Sequence, residues 1–271
     1  MLTTCRHLTA SGYAVHLVSN APLQPSEIAR LRPLCRRIIE RPNHGYDFGG
    51  YRQAILECLG SGLPIRRLLI LNDSVWFPAL RDCDLLQRLH ATGADLAGAV
   101  YYDHRSPHRV HLQSYLVAFS ARAVASAAFR AFWRGYAMSN NKVRTIRNGE
   151  MRLTRVCLEA GLSVAALYTA HQAPDLQDLP ACVRAHTADY DRDRAATLSD
   201  ADSGGEGARG GYILSNHPVV NIEVLGFPIL KKDRGAPYRL QRDALRAPEA
   251  AGLRARLEPS VLAAVERWDG P

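Results

Sequence analysis

Short apolar runs alternate with stretches of helical periodicity along most of the chain. Aliphatic and β-branched runs predict strands over residues 13–20, 37–43, 65–74, 96–102, 112–120, 162–168 and 212–233. Helical periodicity predicts helices over residues 1–12, 26–36, 49–60, 81–92, 121–136 and 150–160. This alternation predicts an α/β fold, arranged as a three-layer sandwich around a mainly parallel sheet.

Length and composition are those of an ordinary globular protein. The 271 residues are 47% hydrophobic and 22% charged, which excludes general disorder, a collagen-like fibre and a disulfide-stapled miniprotein. Residues 189–211 are rich in Gly, Asp and Ser and lack apolar periodicity, so we interpret them as a mobile loop. We predict one domain over residues 1–245, followed by a helical tail over residues 246–271.

The net charge of +8 comes from 34 basic residues, of which only three are lysine, against 26 acidic ones. A basic chain favours an anionic partner such as a nucleotide, a nucleic acid or an anionic membrane face. Because no helix-turn-helix or RNA-binding motif accompanies the charge, we interpret Arg-rich stretches such as 30–41 as solvated surface. A nucleic-acid binder remains a hypothesis that rests on charge alone, and we predict no nucleic-acid partner.

Cysteine spacing and hydropathy bear on the compartment. The six cysteines lie at least 23 residues apart, which excludes zinc-ribbon spacing and predicts buried thiols in a reducing compartment. The sequence contains neither the apolar core of a signal peptide nor an apolar run of about 18 residues. We therefore expect a cytoplasmic protein, with peripheral contact to the inner membrane left open by its basic surface.

The string NHGYDFGG at residues 43–50 is the most distinctive in the chain. Gly45, Gly49 and Gly50 permit a close approach of the backbone to a ligand. Asp47 follows a predicted strand, where its carboxylate can accept from a ribose hydroxyl or a base edge. Alternatively, Asp47 simply caps the next helix. The string is neither GxGxxG nor a P-loop, so it supports neither of those nucleotide sites.

The string LLILNDSVWFP at residues 68–78 ends a strongly apolar strand in three oxygen-bearing side chains. Asn72, Asp73 and Ser74 would lie at the edge of the sheet where α/β proteins bind ligands. Oxygen ligands suit Mg²⁺ or Mn²⁺, which can neutralise a diphosphate. Asp73 is the one carboxylate among the three, and an Asx or Ser turn that ends the strand is the alternative interpretation.

Polar residues also interrupt the later strands. His111 and Gln113 share one face of the strand predicted at 112–120 and its approach, while Ser114 points to the other face. The first two residues either line a pocket or are satisfied interior groups. Asp103, His104 and His108 lie near His111, but Pro107 predicts a loop there and not a zinc site.

Glu150 is predicted to begin a helix, directly after Asn148 and Gly149. A helix N-terminus favours an ionised carboxylate that can act as a general base. The alternative is a first-turn acid that only stabilises the helix dipole. An aromatic set at helical spacing is predicted to be core and not a sugar platform; it comprises Phe129, Phe132, Trp133 and Tyr136.

Several blocks in order resemble the rhamnan synthesis protein F family. They are RPNHGYDFGGYRQAI, LLILNDSVWFP, HLQSYLVAF with the FW pair after it, the segment around Glu150, and NHPVVNIEVLGFPILKK, across about residues 13–240. The resemblance implies a glycosyltransferase of the GT-A type that takes part in cell-surface polysaccharide synthesis. It implies a nucleotide-sugar donor, a glycan or lipid-linked acceptor, and a GT-A-like fold. Since the chain opens in a predicted helix, we expect that fold without its usual first strand.

The resemblance also implies roles for individual residues. Asp47, with Asn43, Gly45 and Gly49, would contact the donor nucleotide. Asp73, flanked by Asn72 and Ser74, would hold the diphosphate and its metal, Mg²⁺ or Mn²⁺. Glu150 would be the catalytic base, and His111 and Gln113 would line the donor or acceptor pocket. Lys231 and Lys232 would meet the diphosphate or an anionic acceptor. A non-catalytic, glycan-binding partner in polysaccharide assembly is the alternative function.

Overall fold

The computed structural model describes residues 1–102, 110–179, 181–184, 190–195, 213–232, 243 and 245–267. They fall into two compact units. Unit 1 contains Met1–Asn72, Leu86–Val100 and Val110–Leu167; unit 2 contains Asp73–Leu85 and the described residues of Tyr101–Arg109 and Tyr168–Pro271. The single domain over 1–245 stays a prediction, and the described part of the tail beyond residue 245 belongs to unit 2.

Unit 1 carries most of the predicted elements. Its strands are β1 (Val15–Ser19), β2 (Cys35–Glu40), β3 (Arg67–Leu71), β5 (Leu96–Tyr102), β6 (His111–Leu112), β7 (Leu116–Ser120) and β8 (Val164–Thr169), the ends of β5 and β8 reaching into unit 2. Its helices are α1 (Leu2–Ala10), α2 (Pro25–Leu31), α3 (Tyr46–Gly60), α4 (Leu85–Ala91), α5 (Ala121–Ala125), α6 (Ala127–Gly135), α7 (Lys142–Thr145) and α8 (Arg152–Glu159). A π-helical turn, Ile146–Met151, joins α7 to α8. The mixed α/β class is confirmed.

The expectation of a mainly parallel sheet is wrong for the described strands. β1 and β2 pair in parallel as a separate ribbon, but β7 runs antiparallel to both of its neighbours, β3 and β5, in a five-stranded sheet. No helix lies between β7 and β5 among the described residues. Parallel neighbours need a long crossover, whereas antiparallel neighbours do not, so this short connection accounts for the antiparallel pairing of β5 with β7.

Burial follows the order of the strands, β3-β7-β5-β6 with β8 beside β5. The first four residues of β7 and the first five of β5 are buried, whereas β3, at one end of the order, buries only Ile70. The strongest apolar run in the sequence therefore forms an outer strand. Its other apolar side chains are half-buried beside helix α5, which packs on β3 and β7.

The aromatic core of unit 1 lies between α3, α6 and α8. The four aromatic residues predicted as core are all buried, from 0% exposure at Trp133 to 6% at Phe132. Phe48 of α3 joins them, 1% exposed and stacked on Trp133 at a centroid distance of 5.8 Å. Apolar burial of this kind stabilises a fold by roughly 1.5–3 kcal/mol per large side chain.

Unit 2 corrects the interpretation of residues 212–233 as strand-like. Its strands are β4 (Val75–Trp76) and β9 (Leu230–Lys231), which pair antiparallel. Most of the rest of that range is helical. The described α-helices of unit 2 include Ala181–Arg184, Ile213–Asn216, Pro218–Leu225, Ala251–Arg256 and Pro259–Arg267. Pro218 at the first turn and Gly226 at φ +60° bound the longest helix of the 212–233 range, which are ordinary start and stop signals.

The mobile loop predicted at 189–211 lies largely outside the described residues. Residues 190–195, its described part, are helical and not a loop. Asp103, His104 and His108 also lie outside the described residues. Helices Ala251–Arg256 and Pro259–Arg267 lie within the predicted helical tail. The Arg81 N–H donates to the carbonyl of Arg256 at 3.0 Å.

Candidate functional site

The string NHGYDFGG forms the start of a helix and not a loop. Helix α3 begins at Tyr46, so Asp47 lies in its first turn and does not cap it; the N-cap is Gly45, at φ +84°. A Cβ atom on Gly45 would lie 2.9 Å from Cβ of Met138. The N–H of Gly45 donates to Oδ1 of Asn140 at 2.8 Å. Gly45 is therefore required by both conformation and space.

Tyr46 adopts φ +49°, the one positive φ outside glycine among the described residues. Its hydroxyl donates to the carbonyl of Asn140 at 2.9 Å. Such a conformation costs of order 1–3 kcal/mol and persists where the surroundings hold it. Backbone strain of this kind clusters at functional sites, and here it directly precedes Asp47.

Two predicted blocks meet at Asp47. Nδ2 of Asn72 donates to Oδ2 of Asp47 at 2.8 Å. The Asn72 N–H in turn donates to the carbonyl of Tyr115, at 3.4 Å. Because β3 and β7 are antiparallel, with Leu71 opposite Leu116, the residue after β3 lies beside the residue before β7. That pairing brings Asp47, Asn72 and the 113–115 segment together.

The other glycines of the string approach protein atoms. A side chain on Gly49 would lie 2.1 Å from the carbonyl oxygen of His44 and 3.0 Å from the guanidinium of Arg41. A Cβ atom on Gly50 would lie 3.4 Å from a side-chain carbon of Val18 in β1. Asn43 is exposed. Gly49 thus allows α3 to pack closely on its own approach segment, and Gly50 allows it to pack on β1. The donor contacts expected of Asn43, Gly45 and Gly49 stay predictions.

The prediction that Glu150 begins a helix is wrong. Glu150 lies in the π-helical turn Ile146–Met151, between α7 and α8, with helical residues on both sides. Glu150 therefore does not lie at a helix N-terminus. π-Turns inside helices are frequent at functional sites, and this one presents Glu150 toward the 111–115 segment.

The Glu150 carboxylate is held by two side chains from that segment. Oγ of Ser114 donates to Oε1 of Glu150 at 2.6 Å, and Nε2 of His111 lies 3.5 Å from Oε2. The side chain of His111 is 10% exposed, and that of Glu150 is 23% exposed. The carboxylate is thus firmly oriented from one side and reachable from solvent.

Ser114 was predicted to point away from His111, and this prediction is wrong. The strand predicted over 112–120 is broken, because β6 ends at Leu112 and β7 begins at Leu116. Without continuous alternation, His111 and Ser114 both reach Glu150. Gln113 is buried at 6% exposure, and its N–H donates to the carbonyl of Val100 at 3.0 Å.

The charge of Glu150 reaches two buried tyrosines. Burial raises the pKa of Tyr115, and the nearby Glu150 charge raises it further. Burial also raises the pKa of Tyr136, where Thr145 acts in the opposite direction and Glu150 adds to the rise. Both phenols therefore stay protonated.

Tyr115 was not singled out from the sequence. Its place beside His111 and Ser114 in a polar strand segment was the available signal.

Asp73, Ser74, Lys231 and Lys232 belong to unit 2. The N–H of Lys232 donates to the carbonyl of Ser74 at 2.7 Å, and Lys231 pairs with Val75 across the β4–β9 ribbon. Nζ of Lys232 lies 5.8 Å from the ring centroid of Trp76. Burial lowers the pKa of Lys232, and the Asp73 carboxylate raises it in part.

Within this cluster the Asp73 carboxylate acts on the Lys232 ammonium group. Asp73 is exposed. Within the described ranges, no three His, Cys, Asp or Glu side chains form a group that could hold a metal. A single carboxylate can still share Mg²⁺ with substrate phosphates, because that ion keeps few protein ligands.

In the part of the chain that the structure describes, no helix is long and apolar enough to span a bilayer.

Comparison with known proteins relates the chain to a family and to a further protein. The model of a family described as rhamnan synthesis protein F matches residues 15–189, which include Asp47, Asp73 and Glu150. The chain is also similar to the uncharacterized protein y4gN of Sinorhizobium fredii, with 33% identity over 263 residues, which cover 88% of this chain and 68% of that protein. No solved structure matches the chain.

Proposed function

Because the chain belongs to the rhamnan synthesis protein F family, we propose that it is a glycosyltransferase of polysaccharide synthesis. It moves a sugar, rhamnose or a related hexose, from a nucleotide-sugar donor to a glycan or lipid-linked acceptor. The observation that carries this proposal is the Glu150 carboxylate, oriented by Ser114 and His111 and still reachable from solvent. A GT-A-like fold is part of the same proposal.

Glu150 is the proposed base. The acceptor hydroxyl oxygen attacks C1 of the sugar, and the bond from C1 to the diphosphate oxygen breaks. The nucleoside diphosphate leaves with the bonding electrons, and the acceptor proton passes to Glu150. Since Oε1 already accepts from Ser114 at 2.6 Å, Oε2 is the oxygen assigned to the proton. A fixed carboxylate in hydrogen-bond reach is what general-base catalysis needs.

Asp47 is the proposed donor contact. Its bond from Asn72 holds one carboxylate oxygen, and the strained Tyr46 beside it fixes the start of the helix. A carboxylate held in this way accepts from ribose hydroxyls or from the amine of a base. Asn43, His111 and Gln113 are further proposed lining residues of the donor pocket.

Negative charge grows on the leaving diphosphate, and a positive group must offset it. Lys232 is the proposed cation in unit 2, with Lys231 and Ser74 as additional contacts. Burial of Lys232 strengthens its effect on a phosphate, because the local dielectric constant is low. Asp73 would hold Mg²⁺ or Mn²⁺ together with the diphosphate, and that ion would supply further charge stabilisation.

The acceptor and the location of the reaction complete the proposal. A lipid-linked acceptor would bring the protein to the cytoplasmic face of the inner membrane, where the net charge of +8 favours anionic lipid. A nucleic-acid partner is not part of the proposal.

The test uses the full chain and a panel of dTDP-, UDP- and GDP-sugars. Calorimetry measures donor binding, and product analysis measures transfer to glycan or lipid-linked acceptors. We expect Glu150→Gln to lower turnover by roughly 10²–10⁴-fold with donor affinity retained. Glu159→Gln is the matched control, since Glu159 is an exposed carboxylate of α8, 3.6 Å from Arg155.

Two outcomes would contradict the proposal. Binding of glycan with no binding of any nucleotide sugar would identify a non-catalytic partner in polysaccharide assembly. Equal turnover by Glu150→Gln and the wild type would remove Glu150 from the base role.

A further inference from the structure

A tight contact joins the chain neighbour of Asp47 to the chain neighbour of Glu150. Phe48 follows Asp47 in the first turn of α3, and Gly149 precedes Glu150 in the π-helical turn. A Cβ atom on Gly149 would lie 2.9 Å from each of three ring atoms of Phe48, namely Cγ, Cδ1 and Cε1. Real Cβ atoms essentially never come so close to other heavy atoms, so any side chain at 149 must displace the ring or the turn.

The ring of Phe48 is enclosed by other aromatic side chains, so it cannot move aside. It is 1% exposed and stacks on Trp133, which is fully buried. Tyr51 and Tyr136 lie at centroid distances of 5.6 Å and 5.5 Å from it. Close-packed interiors transmit a displacement of this kind to neighbouring groups.

Gly149 is required for space and not for backbone conformation. Its φ is not among the positive values of the chain, which include those of Gly45 and Gly226. A glycine inside a helical stretch costs roughly 0.5–1 kcal/mol relative to alanine. The close approach of the π-helical turn to α3 is what accounts for glycine at this position.

We propose that the Phe48–Gly149 contact is the positioning element that sets Glu150 relative to Asp47, so that base and bound donor are held at one reacting distance. The inference rests on the proposed function and deepens it. Neither residue touches substrate; both act through their chain neighbours. Misplacement of a reacting group by about 1 Å can cost on the order of 10²-fold in rate.

The test compares Gly149→Ala, Phe48→Leu and the double variant with the wild type. For Gly149→Ala we expect turnover to fall by roughly 10–100-fold, with the donor dissociation constant changed less than about threefold. Phe48→Leu removes ring atoms, so the double variant should regain at least about tenfold of the lost turnover. The ratio of transfer to donor hydrolysis should follow the same order, because water needs less alignment than an acceptor sugar.

Gly60→Ala is the matched control. Gly60 ends the same helix, α3, with nothing within 4 Å of an added Cβ and no positive φ. It should leave turnover, donor affinity and the transfer-to-hydrolysis ratio unchanged. Free energies of unfolding, measured by urea for every variant, separate a loss of stability from a loss of alignment.

The outcomes are distinct. A wild type that transfers no sugar from any donor overturns the proposed function and this inference with it. An active wild type with equal turnover in Gly149→Ala overturns the inference alone. So does a double variant that regains stability but not turnover. If Gly149→Ala does not fold, Phe48→Leu alone decides: it must lower turnover and the transfer-to-hydrolysis ratio at unchanged donor affinity, and unchanged turnover overturns the inference.

Discussion

The side-chain amide of Asn72 donates a 2.8 Å hydrogen bond to the carboxylate of Asp47, across 25 residues of sequence. This bond joins the end of strand β3 to the first turn of helix α3, and it leaves the carboxylate fixed at a helix start. A carboxylate fixed in this way suits the role of donor contact that we propose for Asp47.

Asp47→Asn tests that role. The amide keeps the size of the side chain and can still accept from Asn72, so the free energy of unfolding should change by less than about 1 kcal/mol. Donor affinity, measured by calorimetry, should fall about tenfold, because a charge-assisted hydrogen bond is lost. Glu57→Gln on the same helix, 3.3 Å from Arg37, should leave donor affinity unchanged. Equal affinities for Asp47→Asn and wild type would exclude Asp47 as a donor contact.

Ser114→Ala tests the support of Glu150. Loss of the 2.6 Å bond to Oε1 leaves the carboxylate less well oriented, and hydrogen bonds to charged groups are worth about 1.5–3 kcal/mol. We expect turnover to fall by roughly 10–100-fold while donor affinity is retained. Ser126→Ala, which removes the cap of α6, should lower stability without lowering turnover per folded molecule. The role is excluded if both variants lose turnover equally.

The lowered pKa of Lys232 predicts that donor binding depends on pH. Burial lowers the pKa of Lys232 from its ordinary 10.5, so its charge is lost at lower pH than that of an exposed lysine. Donor affinity should therefore fall as pH rises toward 10, and Lys232→Arg should abolish this fall. Lys232→Met should bind donor about tenfold more weakly at neutral pH, without the alkaline fall. The control Lys142→Met should keep the wild-type dependence of donor affinity on pH. The same dependence in Lys232→Met would exclude Lys232 as the cation that binds the donor.

Asp95 predicts a pH dependence of stability. Burial alone would raise the pKa of Asp95, but bonds from Ser163 and Ser120 and the Arg122 charge bring it below its ordinary 3.8. A lowered pKa in the folded state stabilises the fold above about pH 4, and this contribution is lost as pH falls through the lowered value. Asp95→Asn should cost about 2 kcal/mol at pH 7, because hydrogen bonds to a charged group are lost, and clearly less near pH 2.5, as measured by urea unfolding.

An exposed carboxylate of unit 2 provides the comparison for Asp95. Asp178→Asn should change the free energy of unfolding by less than about 0.5 kcal/mol at either pH. A cost for Asp95→Asn that is the same at pH 7 and pH 2.5 would show that packing, and not ionisation, accounts for it.

The sequence predicted the elements of unit 1 well where local chemistry determines them. β-Branched runs gave β1, β2, β3 and β5, and the buried aromatic set was identified from its spacing alone. Helix α3 was predicted to begin at Gly49, three residues late, because the glycines suggested a loop. Gly49 instead lets the helix pack on His44 and Arg41, a contact that spacing does not reveal.

Pairing and site geometry were predicted less well, because they depend on contacts distant in sequence. The break between β6 and β7 could not be found from alternation, so Ser114 was assigned to the wrong face. The π-helical turn at Glu150 has no periodic signature, and the residue was assigned to a helix start. In unit 2 the signals existed, since Pro218 and Gly226 bound a helix that the apolar run 212–233 concealed.

The register of β3 against β7 determines which polar residues meet at the site. Leu71 lies opposite Leu116, so the polar residues that follow one strand meet those that precede the other. Apolar side chains along both strands can be exchanged for others of similar volume, because the main-chain ladder sets this alignment. A single residue inserted into either strand would instead turn its side chains to the opposite face. The number of residues in each strand therefore matters more to the site than the identity of its apolar side chains.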